Sequence, residues 1–104
     1  MEESDWLQFK QLSEKASRRY CDETMAMVEK IMAEEGKDSY QKTEELDALI
    51  KERKKLYRSI FGDYRRSTAI FHMGLMVRYK LLLEGDLVDL SDGLRVRLGE
   101  VFEL

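Results

Sequence analysis

The chain is organised around residues 69–83, which read AIFHMGLMVRYKLLL. Wound into a helix, this stretch is apolar on nearly every side, and such a helix must be covered all round by other elements. It has 15 residues and is interrupted by His72, Arg78 and Lys80, whereas a membrane span needs about 20 apolar residues. We therefore expect a buried central helix and no membrane contact.

The rest of the chain has the composition of amphipathic helices that can cover this centre. Proline is absent, and Ala, Leu, Met, Glu, Lys and Arg, all strong helix formers, dominate. Hydrophobic residues make up 43% of the chain and charged residues 38%, a balance that argues against disorder. A chain of 104 residues corresponds to one domain, so we expect residues 1–104 to form a single helical domain.

The spacing of apolar residues indicates an all-α fold, a small helical bundle. It predicts three main helices, at about residues 4–35, 39–61 and 66–84. Ser4 can cap the first helix and Gly36 can end it, while Asp38 or Ser39 can cap the second. Polar residues thin the apolar stripe of the first helix over residues 13–24, which we expect to be its weakest part.

The connection between the second and third helices has two interpretations. Gly62 and Asp63 indicate a break within residues 62–67. However, the apolar residues on either side share one face of an uninterrupted helix, and a lone glycine costs only about 1 kcal/mol there. We favour the break. A continuous helix would instead give a long hairpin, which must dimerise to cover its apolar stripe.

The C-terminal element also has two interpretations. Leu87, Leu90, Leu94 and Leu98 have helical spacing, and Ser91 can cap such a helix. The residues 94–98 also alternate between apolar side chains and arginines, which is the pattern of a strand and would give a small hairpin. We favour a short helix, because an isolated two-stranded hairpin is only marginally stable.

The net charge of the chain is -3, but acidic and basic residues are concentrated in different segments. Residues 1–50 carry 13 acidic and 7 basic side chains, whereas residues 51–80 carry 9 basic and 2 acidic ones. Residues 81–104 are acidic again, with 6 acidic against 2 basic side chains. The central basic segment can bind phosphates, or it can be a solvated face that packs near acidic helices of the same fold or of a dimer.

Most basic residues of this segment would share one arc of the second helix, beside its apolar face, if the helix persists to residue 65. Arg53 instead falls on the apolar side, where it must snorkel or pair. Nucleic-acid domains are usually basic overall, which this chain is not. The nucleic-acid-binding candidates are Lys51, Lys54, Lys55, Arg58, Arg65 and Arg66.

His72 is the single histidine of the chain and lies within the apolar stretch. Arg66 precedes it with the spacing R-x5-H, and Arg65 with the spacing R-x6-H. Over these seven or eight residues the chain resembles HEPN-type ribonucleases, small helical bundles in which an arginine–histidine pair cuts RNA at a dimer interface. The resemblance implies Arg66 and His72 as catalytic candidates, whereas the apolar residues after His72 indicate a buried core histidine.

Other chemistries lack the residues that they require. A single cysteine, Cys21, excludes an internal disulfide and fits a reducing compartment. One histidine and one cysteine are too few for a zinc site, and the chain has neither a Glu-x-x-His pair for a di-iron site nor a glycine-rich phosphate loop. We expect no cofactor, no metal and a cytoplasmic location.

These observations favour a small non-enzymatic interaction or regulatory module that acts through its helix faces. The apolar residues are numerous for so few elements, which motivates a homodimer or a complex with another protein. A nucleic-acid-binding regulator that uses the basic segment is the second hypothesis, and a HEPN-like ribonuclease is the third.

Overall fold

The computed structural model describes residues 1–102, so residues 103–104 of the predicted domain lie outside the described residues. The all-α prediction is confirmed, with no strand within residues 1–102. The α-helices of this range are α1 (Glu3–Ala33), α2 (Ser39–Phe61), α3 (Ala69–Arg78) and α4 (Asp92–Phe102). Short 3-10 helices precede α3 at Arg66–Thr68 and α4 at Glu84–Leu87.

α1 is a single long helix, as predicted, but it begins and ends earlier than expected. Ser4 lies inside the first turn and is not the cap, because the carbonyl oxygen of Glu2 already accepts a hydrogen bond from Trp6 N at 3.0 Å. The helix ends at Ala33, since Glu34 adopts an extended conformation with ψ 132°. Gly36 has φ +80°, so the turn uses the left-handed conformation that glycine adopts most readily.

α2 begins and ends where the sequence predicts. Asp38 caps it by accepting a hydrogen bond from Gln41 N at 2.8 Å, while the Gln41 side chain accepts one from Asp38 N at 3.0 Å. The expected break follows Phe61. A Cβ atom at Gly62 would clash with the carbonyl oxygen of Arg58, so this helix end requires glycine.

α3 is shorter than the predicted helix 66–84, because a left-handed residue ends it. Lys80 has φ +61°, and its N–H donates to the carbonyl oxygen of Val77 at 2.9 Å. Leu81 N donates to Met76 O at 2.8 Å, which completes a Schellman motif. The motif folds Leu81 and the next leucine into the core.

The expectation that residues 69–83 are covered on all sides is therefore only partly correct. Met73, Met76 and Leu82 are buried. Phe71, however, is 52% exposed and Leu83 is exposed as well. The remaining helices cover one side of the ten-residue α3, and its outer side stays in solvent.

The C-terminal element is a helix, and the structure shows how it is attached. Ser91 Oγ accepts a hydrogen bond from Leu94 N at 3.3 Å, which caps α4 as predicted. The buried carboxylate of Asp5 accepts hydrogen bonds from Ser91 N at 2.9 Å and from Ser91 Oγ at 2.6 Å. One carboxylate in the first turn of α1 thus fixes the start of α4.

The molecule has two parts, and it measures 53 × 23 × 22 Å. We call residues 3–20 and 56–102 the head, and residues 21–55 the distal hairpin. Every buried residue among those the structure describes lies in the head, whereas none of residues 21–59 is buried. The expectation that residues 13–24 are the weakest part of α1 is wrong, because Ser13, Ala16 and Tyr20 are buried there. The core residues are Phe9, Leu12, Ala16, Tyr20, Ile60, Phe61, Ala69, Met73, Met76, Leu81, Leu82, Leu90, Leu94 and Leu98.

Candidate interaction surface

An apolar row runs along the exposed side of α1 in the distal hairpin. It consists of Cys21, Met25, Val28 and Met32, and we call it the α1 seam. The intervals of four, three and four residues place these side chains on one helix face, as in a coiled coil. Met25 is 56% and Met32 60% exposed, Cys21 is exposed and Val28 is half-buried. The seam is therefore apolar surface in contact with solvent.

The apolar residues of α2 in the distal hairpin lie on a different surface. Leu46, Leu49 and Ile50 are half-buried. They share a face of α2 with Arg53, and Arg53 contacts α1 through hydrogen bonds to Tyr20 and Thr24. α2 therefore covers one side of α1 and leaves the α1 seam uncovered.

Polar contacts hold the turn of the distal hairpin. Lys37 forms ion pairs with Glu34, at 2.6 Å, and with Glu45. Lys42 Nζ donates to the carbonyl oxygen of Met32 at 2.8 Å. Because the hydrogen bond with Glu34 stabilises its charged form, the pKa of Lys37 is raised. The tip of the hairpin is thus an ordered turn that fixes the end of the α1 seam.

Arg53 connects the distal hairpin to the head. Its guanidinium carbon lies 3.7 Å from the centre of the Tyr20 ring, and its Nε donates to Thr24 Oγ1 at 2.9 Å. In return, Tyr20 Oη donates to the carbonyl oxygen of Arg53 at 2.6 Å. Burial raises the pKa of Tyr20, so its hydroxyl stays a donor. Of the two alternatives predicted for Arg53 on the apolar side, snorkelling or pairing, the structure shows pairing.

Asp86 is the centre of an ion-pair network that joins the head's long loop to α1. Its carboxylate accepts hydrogen bonds from Arg19 Nη1 at 2.8 Å, Lys15 Nζ at 3.2 Å and Leu83 N at 2.8 Å. The Asp86 side chain is only 11% exposed. These donors, Arg19 above all, hold the pKa of Asp86 well below its usual range. The network orients the loop that follows α3.

The basic segment is divided between exposed and engaged side chains. Lys51, Lys54, Lys55 and Arg58 are all exposed, and they lie on the face of α2 that points away from α1. Lys51 forms an ion pair with Asp47 at 2.8 Å. Within residues 1–102, the charged groups of Lys54, Lys55 and Arg58 form no ion pair. These three residues are the part of the predicted stripe that can meet an external anion.

The two remaining candidates of the basic segment are bound within the head. Arg65 Nη2 lies 2.8 Å from Asp63 Oδ2, and this contact lowers the pKa of Asp63. Arg66 forms an ion pair with Glu3, and its guanidinium carbon lies 5.3 Å from the centre of the Trp6 ring. Both arginines therefore have structural contacts that compete with phosphate binding.

His72 is buried and makes structural contacts. Its Nδ1 donates to the carbonyl oxygen of Ile60 at 2.8 Å, and its Nε2 lies 4.0 Å from Asp63 Oδ2. This hydrogen bond ties α3 to the last turn of α2. Arg66, the other half of the HEPN-like spacing, binds Glu3 at the start of α1. Each side chain therefore has a structural contact in this fold, and catalysis by Arg66 and His72 stays a prediction.

Three further properties of the described residues concern a groove, metal-binding side chains and helix length. A groove of about 580 Å³ between α3 and α4 is lined by both apolar and charged side chains, among them Val77, Leu87, Val96 and Arg95. Among residues 1–102 no group of three or more His, Cys, Asp or Glu side chains could hold a metal ion. None of the described helices combines the length and apolar character needed to cross a membrane.

Comparison of the chain with protein-family models, with curated proteins and with solved structures found no match. The apolar spacing of Cys21, Met25, Val28 and Met32 was visible in the sequence. Its exposure was not, because spacing shows which residues share a face and not whether another element covers that face.

Proposed function

We propose that the protein is a non-enzymatic protein–protein interaction module that forms a homodimer through the α1 seam. The observation that supports this proposal is the exposure of Met25 and Met32 in an ordered apolar row of four residues. Contiguous exposed apolar surface with a polar surround is typical of interaction sites. Covering it contributes about 25 cal/mol for each Å² removed from water.

A second copy of the chain is the occupant that fits this surface best. Intervals of four and three residues are the pattern by which identical helices pack knobs into holes. A two-helix hairpin leaves one side of its apolar residues in water, and a second hairpin closes it into a four-helix bundle. Methionine side chains are flexible and adapt to one another's shape, which suits a seam that contains Met25 and Met32.

The surface is presented in an ordered conformation, so that binding orders few additional residues. Arg53 fixes the base of the distal hairpin against Tyr20, and Lys37 fixes its tip through Glu34 and Glu45. Preorganisation of this kind lowers the entropic cost of association. The single cysteine, Cys21, is free and exposed, which supports a reducing compartment such as the cytoplasm as the place of action.

Sedimentation velocity over a concentration series tests the homodimer. We expect the wild-type protein to shift from monomer to dimer as its concentration rises. Met25→Glu and Met32→Glu should each weaken association at least about tenfold, because burying a methionine contributes about 1.5–3 kcal/mol. Val88→Glu is the matched control, since Val88 is 60% exposed but lies in the head. Only monomer at high micromolar concentration would contradict the proposal.

A nucleic-acid-binding regulator is the second candidate, and the exposure of Lys54, Lys55 and Arg58 supports it. The test is retention of mixed DNA or RNA at low and moderate salt. If these side chains contact phosphates, replacing all three by glutamine should lower the salt slope of log K by about 2 to 3. Lys30→Gln, at an exposed lysine of α1, should leave the slope unchanged. Absence of salt-sensitive retention removes this candidate.

A further inference from the structure

We infer that two copies pair through their α1 seams in antiparallel orientation, so that the tip of each distal hairpin lies along the head of the other copy. This geometry rests on the proposed homodimer and specifies it further. It follows from three features of the described residues, which are the charge distribution along α1, the symmetry of the seam and the position of α2.

Charge along α1 favours the antiparallel orientation. Residues 10–19 carry four basic side chains and one acidic one, whereas residues 22–35 carry five acidic and one basic. In the register that superposes the midpoints of the two seams, an antiparallel pair places the exposed Arg18 of each copy near the exposed Glu35 of the other. A parallel pair would instead bring Arg18 to Arg18 and Glu35 to Glu35, which is electrostatically unfavourable.

The α1 seam is symmetric about its own midpoint, which lies between Met25 and Val28. Antiparallel pairing about this midpoint places Met25 opposite Val28 of the second copy and Cys21 opposite Met32 of the second copy. Each seam residue then has an apolar neighbour. This is the layer arrangement of an antiparallel coiled coil, and among antiparallel registers it is the one with the fullest apolar overlap.

The surface that the second copy would occupy is open along the head as well. The four- and three-residue intervals of the seam continue toward the N-terminus through Leu7, Gln11, Glu14 and Arg18, and all four of these residues are exposed. The tip of a second hairpin therefore meets an uncovered helix face and does not have to displace any core residue.

The position of α2 favours the same orientation. The contacts of Arg53 with Tyr20 and Thr24 place α2 about a quarter turn around α1 from the seam. The two-fold axis of an antiparallel pair leaves both α2 helices on the same side of the two α1 helices, which closes a four-helix bundle. A parallel pair would place the two α2 helices on opposite sides and leave the bundle open.

Disulfide cross-linking distinguishes the two orientations, and Cys21 serves as its probe. In the antiparallel register the two Cys21 residues are separated by 11 helical positions, about 16 Å, whereas a disulfide requires Cα atoms within about 7 Å. In a parallel pair the two thiols meet. Under mild oxidation at concentrations where dimer forms, we expect the wild-type dimer to remain uncross-linked.

Two variants complete this experiment. Met32→Cys places a second thiol opposite Cys21 of the other copy, so we expect efficient intermolecular disulfides. Cys21→Ser combined with Met32→Cys removes that neighbour, and we expect the cross-link to disappear. Disulfides in the wild-type protein and in this double variant would show a parallel pair and would overturn the inference.

A variant without new cysteines provides an independent test. In the antiparallel register Asp22 and Glu29 of the other copy meet on the outer flank of the seam, so Glu29→Lys should tighten the dimer several-fold. Glu44→Lys makes the same charge change on the face of α2 that points away from α1, and it should tighten the dimer less. Equal effects of the two variants contradict the antiparallel geometry.

The outcomes separate this inference from the proposed homodimer. If the protein dimerises and Met25→Glu weakens the dimer, but Met32→Cys gives no cross-link, the register is wrong and the homodimer stands. If sedimentation shows no dimer, both fall. If Met25→Glu and Val88→Glu have equal effects on a dimer that does form, the α1 seam is not its interface, and both fall again.

Discussion

The two halves of α1 differ in what covers them, although they belong to one helix. From Phe9 to Tyr20 the helix buries a continuous face against the other elements of the head, while beyond Tyr20 it buries no side chain. The head therefore owes its stability to apolar burial. The distal hairpin relies on polar contacts at its ends, formed by Arg53 and Lys37, and on a half-covered apolar interface.

This difference indicates a division of roles within the molecule. A segment with few buried contacts opens locally at a lower free energy than a core, so it responds most to a binding partner. The head supplies a fixed base, and the distal hairpin supplies the surface. Substitutions in the head should therefore change the stability of the protein, whereas substitutions in the distal hairpin should change its association.

The largest difference in the free energy of unfolding is expected between substitutions at two methionines. Met73 is fully buried in the head, and Met73→Ala should lower the free energy of unfolding by about 2–5 kcal/mol because it leaves a cavity. Met32→Ala in the distal hairpin should change it by no more than about 0.5 kcal/mol in the monomer. Urea unfolding of dilute protein measures both, and similar losses would contradict the division between head and hairpin.

A smaller effect is expected at Asp86. Asp86→Asn weakens charge-assisted hydrogen bonds with Arg19 and Lys15, and it should cost about 2 kcal/mol at neutral pH. Asp92→Asn is the control, because the Asp92 side chain is 92% exposed and pairs only on the surface with Arg95. Asp92→Asn should lower the free energy of unfolding by less than about 0.5 kcal/mol.

The effect of Asp86 should also depend on pH. Because its pKa is lowered in the folded state, its contribution is fully present above the unfolded pKa of about 3.9 and is lost as the pH falls through the folded value. The difference in unfolding free energy between wild type and Asp86→Asn should therefore be constant at neutral pH and shrink below about pH 4. A difference that does not depend on pH would show that the network is not ionic.

The smallest change in stability is expected from a substitution at the end of α3. Lys80 occupies a left-handed conformation that costs a residue with a Cβ about 1–2 kcal/mol. Glycine avoids this cost but loses more backbone freedom on folding, so Lys80→Gly should stabilise the head by about 0.5–1 kcal/mol. Thermal unfolding would show a higher midpoint, and a lower midpoint would contradict the Schellman motif. Arg97→Gly, inside α4, should act in the opposite direction.

The sequence predicts most helix ends well, but it does not predict features that depend on tertiary packing. Asp38, Gly62 and Ser91 each act through a local hydrogen bond or a local clash, and such local effects can be read from neighbouring residues. The end of α3 could not be read in this way, since Lys80 is not a typical left-handed residue. It is held there by the burial of Leu81, which depends on the tertiary fold.

The residues of the candidate surface can be grouped by their spacing in the sequence, but their exposure cannot be read from it. The row Cys21, Met25, Val28 and Met32 has the same apolar character as the core row of the head, and periodicity cannot distinguish covered from uncovered faces. The roles of Arg66 and Asp5 were also hidden, because Arg66 meets Glu3 and Asp5 meets Ser91 only after the chain folds.

Hydrogen exchange at low and high protein concentration tests the α1 seam most directly. Association through it predicts that the amides of residues 21–33 gain protection as the concentration rises, while the core amides of α3 keep theirs. Met25→Glu should abolish this gain and leave the exchange of α3 unchanged. Protection that appears instead at the groove between α3 and α4, or no change at any concentration, would contradict the assignment of the distal hairpin as the interaction surface.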